Sequence, residues 1–200
     1  MREFLDGEAE ILKHGQQLPH WQQGEVMQFV TFRLGDAMPV SKLNDWREQR
    51  DIWCRCHPEP WDENTRTEYH RRFTARLEMW LDQGSGSCLF KKMAHREELE
   101  KVFFYDQGVR VDHHIWVIMP NHVHMVFTPM FPLPKLIAGW KSISARRIGQ
   151  GSIWQRNYRD TLIRDSSHFT NAVRYIRNNP KSLQQDTFSL WQSDRALAIS

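Results

Sequence analysis

The sequence predicts an α+β fold, a ferredoxin-like antiparallel sheet with helices packed on it, and three observations carry that expectation. Short β-branched and aromatic runs alternate with long stretches of helical periodicity. Two of the runs, 113–119 and 122–128, are consecutive and separated only by a Pro120-Asn121 break. Further strand-like runs near Val26–Leu34 and Arg159–Arg164 bracket them across intervening helices, which is the order of a split β-α-β arrangement.

Val26–Leu34 is rich in Val, Phe and Thr and ends at Gly35-Asp36 and Pro39, a strand followed by a turn. Helical spacing then runs to Gln83, broken at Pro58-Glu59-Pro60, so two helices are expected over Ser41–Arg55 and Glu63–Leu81. Gly84-Ser85-Gly86-Ser87 makes a turn, and Ala94–Asp106 forms a helix with Leu99, Val102 and Phe103 inward. Pro129, Pro132 and Pro134 form a stiff connector into a helix over Leu133–Ile148, which Gly149-Gln150-Gly151-Ser152 ends. The last helix spans His168–Asn178, with Ser166 or Ser167 as its cap and Pro180 as its stop. Residues 1–24 are Gln-rich and polar and look like an appended arm, 25–183 form the domain, and 184–200 form a tail.

Composition narrows the function. A chain of 200 residues with 40% hydrophobic content buries a proper core. No run reaches the roughly 20 apolar residues of a membrane span, so a soluble, cytoplasmic protein is expected. Three cysteines argue against a disulfide framework, and Cys54-Arg55-Cys56-His57 is only half of a zinc-site spacing. Net charge is +3, yet lysine and arginine accumulate between Lys135 and Lys181, where Asp160 and Asp165 are the only acids. That asymmetry, interleaved with aromatic residues, fits a nucleic-acid partner better than a plain solvated surface.

His122 and His124 stand two apart in an apolar run, so on a strand both imidazoles share one face and can meet one metal ion. Val123 and Met125 then face the other way. Tyr175 and Asn179 stand four apart at the end of the last helix, so a phenol and a carboxamide share a helix face. A positioned tyrosine is a competent nucleophile toward phosphorus, although helical tyrosines are also common as packing residues.

These strings together resemble the single-tyrosine HUH transposases, in particular the REP-associated tyrosine transposases. The resemblance runs from Val26 to Leu183 on Phe29-Val30-Thr31-Phe32-Arg33-Leu34, Met119-Pro120-Asn121-His122-Val123-His124, Trp140-Lys141-Ser142, Trp154-Gln155-Arg156-Asn157-Tyr158-Arg159-Asp160 and Tyr175-Ile176-Arg177-Asn178-Asn179-Pro180. It implies the HUH nuclease fold and a metal-dependent transposase that cleaves and rejoins single-stranded or hairpin DNA. By the same resemblance, His122, His124 and Asn179 hold Mg²⁺ or Mn²⁺, and Tyr175 is the nucleophile that keeps the 5′ phosphate. Some relatives place the tyrosine of one subunit near the histidines of another, so a homodimer stays open.

The basic and aromatic cluster supplies DNA-binding candidates: Lys141, Arg156, Arg159, Arg174 and Arg177 for phosphates, Tyr158 and Trp154 for bases, with Trp140 and Trp154 also suited to covering the sheet. His113 and His114 are expected at an edge or in a loop, and Asp160 beside an arginine. A DNA- or RNA-binding regulator that kept the fold and lost turnover is the alternative, and a metal-dependent hydrolase of small substrates a third reading.

Overall fold

The structure, a computed structural model, describes residues 3–14 and 20–200. Its elements, in chain order, are β1 (Leu12–His14), β2 (His20–Gln22), β3 (Gln28–Arg33), α1 (Val40–Cys56), α2 (Glu63–Tyr69), α3 (Ala75–Asp82), α4 (Met93–Asp106), β4 (Val111–Ile118), β5 (His122–Pro129), α5 (Leu133–Ile148), β6 (Arg159–Leu162), α6 (Ser166–Asn178), β7 (Ser189–Gln192) and α7 (Asp194–Leu197). Four strands lie side by side as β6-β3-β5-β4, all antiparallel, which is the ferredoxin-like order. The expected α+β sheet is therefore present.

Strand alternation divides the molecule into two cores. Val30 and Phe32 of β3, Val123, Met125 and Phe127 of β5, and Trp116 and Ile118 of β4 pack against α4 and α5. On the opposite face Ile115, Val117 and Val126 meet Phe169, Ala172, Val173 and Ile176 of α6. His122 and His124 lie on that second face, because they alternate with Val123 and Met125. The helix that carries Tyr175 is thus laid across the histidine strand.

Four expectations are corrected. The cap of α6 is Asp165, whose carboxylate accepts from the His168 amide at 2.7 Å, so the helix begins two residues before His168. Residues 184–200 are no free tail: β7 pairs with β4 and makes it an interior strand. His113 and His114 are accordingly buried in β4 instead of lying at an edge; His113 Nε2 meets the Phe103 carbonyl at 3.2 Å and His114 Nε2 the Thr128 hydroxyl at 2.9 Å. The partners of Asp160 among the described contacts come from the N-terminal arm: one oxygen meets His20 Nδ1 at 2.5 Å and the other accepts from the Trp21 amide at 2.9 Å.

The segment expected as a second helix over Glu63–Leu81 is present but contains a π-helical turn, His70–Thr74, between α2 and α3. Trp46, Trp53 and Phe73 give α1–α3 a small aromatic core of their own. Cys54 and Cys56 of this unit are free thiols. Gly86 locks the loop that follows: its φ is +88°, and a Cβ there would fall 2.3 Å from the Asp36 carbonyl oxygen. No helix among the described residues is long and apolar enough to cross a membrane.

Candidate active site

β5 supplies both imidazoles and α6 the phenol. His122 Nε2 and His124 Nε2 lie 3.0 Å apart, and the Tyr175 hydroxyl lies 3.5 Å from His124 Nε2. Tyr175 reaches this position because Val173 and Ile176 of the same helix are buried against the sheet, which turns the intervening residue toward the strand face. Phe29 packs edge-on against the Tyr175 ring and stacks on His124.

Two residues orient the imidazoles. The Asn121 amide nitrogen donates to the carbonyls of Leu81 and Ser85, both at 3.1 Å, a job only an NH₂ can do. Its oxygen therefore faces His122 Nδ1 at 2.7 Å, so that Nδ1 carries the proton and Nε2 is the basic nitrogen. Thr31, the cross-strand partner of His124 on β3, places its hydroxyl 2.7 Å from His124 Nδ1. The hydroxyl can donate or accept, so His124 can present either a proton or a lone pair at Nε2. With a proton it bridges the two rings; with a lone pair both nitrogens aim at one cation.

Burial holds both imidazoles neutral. It pushes His122 down to about 3, with the Arg33 charge adding to the effect. His124 is lowered well below the ordinary value by burial first, then by His122 and Arg159. Neutral imidazoles are the metal-binding form.

The end of α6 carries the remaining residue expected to hold a metal. Asn179 begins a 3₁₀ turn that continues the helix, and its Oδ1 is buried with no hydrogen-bond donor among the described residues. An orphaned buried oxygen of this kind is costly unless something absent from the protein satisfies it. Two imidazole nitrogens and an amide oxygen are donors of the kind a divalent cation accepts. No group of three or more His, Cys, Asp or Glu able to hold a metal occurs among the described residues.

The expected DNA contacts divide sharply. Arg159 and Tyr158 line a cleft beside the histidines, and Arg159 Nη2 reaches the Thr74 hydroxyl at 3.4 Å. Arg156 is exposed and lines a separate cleft of about 620 Å³ between α5 and the segment that follows it. The other four are used internally. The Lys141 ammonium donates to the Gln155 and Asn157 carbonyls at 2.9 and 3.0 Å, and burial pushes it down to about 8. Trp154 is buried, stacked on Phe90 and bonded to the Ser144 hydroxyl at 2.9 Å. Arg174 donates to the Ser200 carbonyl at 2.8 Å. Arg177 bonds Gln192 Oε1 at 2.9 Å and the Ile199 and Ala196 carbonyls at 2.7 Å each. The C-terminal segment beside α6 supplies the acceptors that these two arginines meet.

Asn121, Thr31 and Arg33 received no individual roles from the sequence. A signal existed for the last two, since Phe29, Thr31 and Arg33 alternate along one face of β3, the face that pairs with His122 and His124. The Asn121 role depends on Leu81 and Ser85, some forty residues away, and had none.

No family model and no curated protein matches the chain. Among solved structures, that of a REP-associated tyrosine transposase bound to a REP hairpin is similar, with a TM-score of 0.47 and 16% identity over 84% of this chain and 73% of that one.

Proposed function

We propose that the protein is a metal-dependent DNA strand transferase that cleaves and rejoins single-stranded or hairpin DNA through a phosphotyrosine. The observation that carries this reading is the convergence of the Tyr175 hydroxyl on a pair of neutral imidazole nitrogens 3.0 Å apart. The phenol and the imidazole pair belong to one chain, which supports a site assembled within a single copy.

His122, His124 and Asn179 would hold Mg²⁺ or Mn²⁺, and the imidazoles favour Mn²⁺ as the better match for nitrogen donors. The bound cation would supply Lewis-acid polarisation of a non-bridging phosphate oxygen. Arg33 and Arg159, whose charges are felt at His122 and His124 respectively, attract the phosphodiester and offset negative charge as it builds. Tyr175 gives up its proton and its oxygen bonds to phosphorus; the bond from phosphorus to the 3′ oxygen breaks, and that oxygen leaves as a hydroxyl. The 5′ phosphate stays on Tyr175. Attack by a 3′ hydroxyl on the same phosphorus reverses the step and frees the phenol.

The test is to incubate the protein with Mn²⁺ and end-labelled single-stranded hairpin DNA and look for an adduct that survives denaturation. It is expected with the parent chain and absent in Tyr175→Phe. Salt-sensitive binding with no adduct from any hairpin would instead establish the regulator reading.

A further inference from the structure

Beside the histidine pair lies a cleft of about 720 Å³ whose far wall is the α1–α3 unit. Arg33 and Arg159 line it from the sheet, and Arg47, Arg50, Trp46 and Tyr69 from the helical unit. Thr31, which touches His124, also lines it, so the cleft reaches the residue that orients one of the histidines. From this geometry we infer that the α1–α3 unit is the second wall of a channel for the unpaired strand adjoining the scissile phosphate. The inference rests on the proposed DNA reaction and names which part of the substrate this wall holds.

Charge complementarity selects the occupant. Among the described residues that line the cleft there are four arginines and one acid, Asp160, whose two oxygens are already taken by His20 and the Trp21 amide. Arg50 is paired with Asp51 at 2.7 Å, and its guanidinium lies 5.2 Å from the centre of the Trp46 ring. Arg33 donates through Nε to Gln155, but its Nη1 is buried with no acceptor among the described residues. A desolvated guanidinium without a carboxylate is stabilised by an arriving phosphate. The volume falls within the roughly 300–1,000 Å³ of pockets for small ligands, a size that suits unstacked nucleotides. Aromatic rings among basic side chains are the usual platform for single strands.

The π-helical turn gives independent support. His70 and Thr74, its first and last residues, both line the cleft, and Thr74 receives Arg159 from β6 across it. Such turns are irregularities that recur at functional sites.

Arg47 is exposed on α1 and takes no part in the catalytic set, so Arg47→Glu tests the wall. Anisotropy of labelled DNA, in EDTA and over a salt series, would compare a hairpin carrying a single-stranded extension at one end with the same hairpin trimmed flush, each extension end tested separately. Arg146→Glu, at an exposed arginine in the other cleft, serves as control. Arg47→Glu should weaken binding of an extended hairpin about tenfold and lower its salt slope by about one, with the flush hairpin unchanged. Equal affinity of variant and parent for both extended hairpins, or equal loss on extended and flush hairpins, would overturn the inference. An acidic peptide or protein that competes at this face without any extension dependence would overturn it as well. The adduct assay separates the two readings: adduct formation with an indifferent Arg47→Glu sinks the channel alone, whereas selective loss without any adduct sinks the reaction and leaves a strand-binding cleft.

Discussion

Thr31 shows how much one hydroxyl decides. It sits across from His124 on β3 and meets His124 Nδ1 at 2.7 Å, so it governs whether Nε2 offers a proton or a lone pair. Outer-sphere partners of metal-bound histidines commonly account for 10–100-fold in affinity. Thr31→Val keeps the shape and removes the hydroxyl. It should weaken Mn²⁺ binding by about that factor, measured by titration of free Mn²⁺, while the thermal midpoint stays close to the parent. Undiminished affinity would show that burial alone orients His124. Asn121 plays the matching part for His122, but its amide also holds the end of α3, so its loss would disturb more than one ring.

At the scale of elements, α6 is positioned from both faces. Its buried side packs on the sheet, and Arg177 on its other side donates to the side chain of Gln192 in β7 and to two carbonyls at and beyond α7. Each such bond to a charged donor contributes roughly 1.5–3 kcal/mol, and the effects overlap. Arg177→Ala should therefore lower unfolding stability by about 2–4 kcal/mol in urea and expose residues 184–200 to limited proteolysis. Its DNA-binding salt slope should match the parent. A reduced slope with unchanged proteolysis would return Arg177 to the DNA-facing group. Gly86 works at the same scale: its left-handed backbone and close approach to Asp36 set the loop whose Ser85 carbonyl holds Asn121.

For the whole molecule, buried neutral histidines set the acid limit. Burial pushes His113 down to about 4 and His122 to about 3. The unfolded chain takes up these protons near pH 6.5 while the folded one resists until far lower pH. Stability is thus fully present above about pH 7 and drains away as pH falls from 6.5 toward 4. His113 alone accounts for on the order of 3 kcal/mol across that window. Urea midpoints in EDTA should be flat from pH 7 to 8 and decline below 6.5, with a shallower decline in His113→Leu. A profile as steep in that variant would place the loss elsewhere.

Periodicity and turn residues are local properties, and they determined the four main strands, their order and the helix over Leu133–Ile148 without reference to anything distant. Spacing alone put His122 and His124 on one strand face, and Tyr175 and Asn179 one helical turn apart. Only the tertiary structure decided that Tyr175 meets His124 across fifty-one residues, that the Asn179 oxygen is buried without a donor among the described residues, and that β7 makes β4 an interior strand. It also decided what each cation meets. Lys141, Arg174 and Arg177 look the same in sequence as Arg159, but the first three donate to carbonyls brought within 3 Å by distant chain segments, whereas Arg159 reaches the Thr74 hydroxyl and lines a cleft beside the histidines. A side chain's type sets what it can bond, whereas the long-range packing of the sheet sets what lies within its reach.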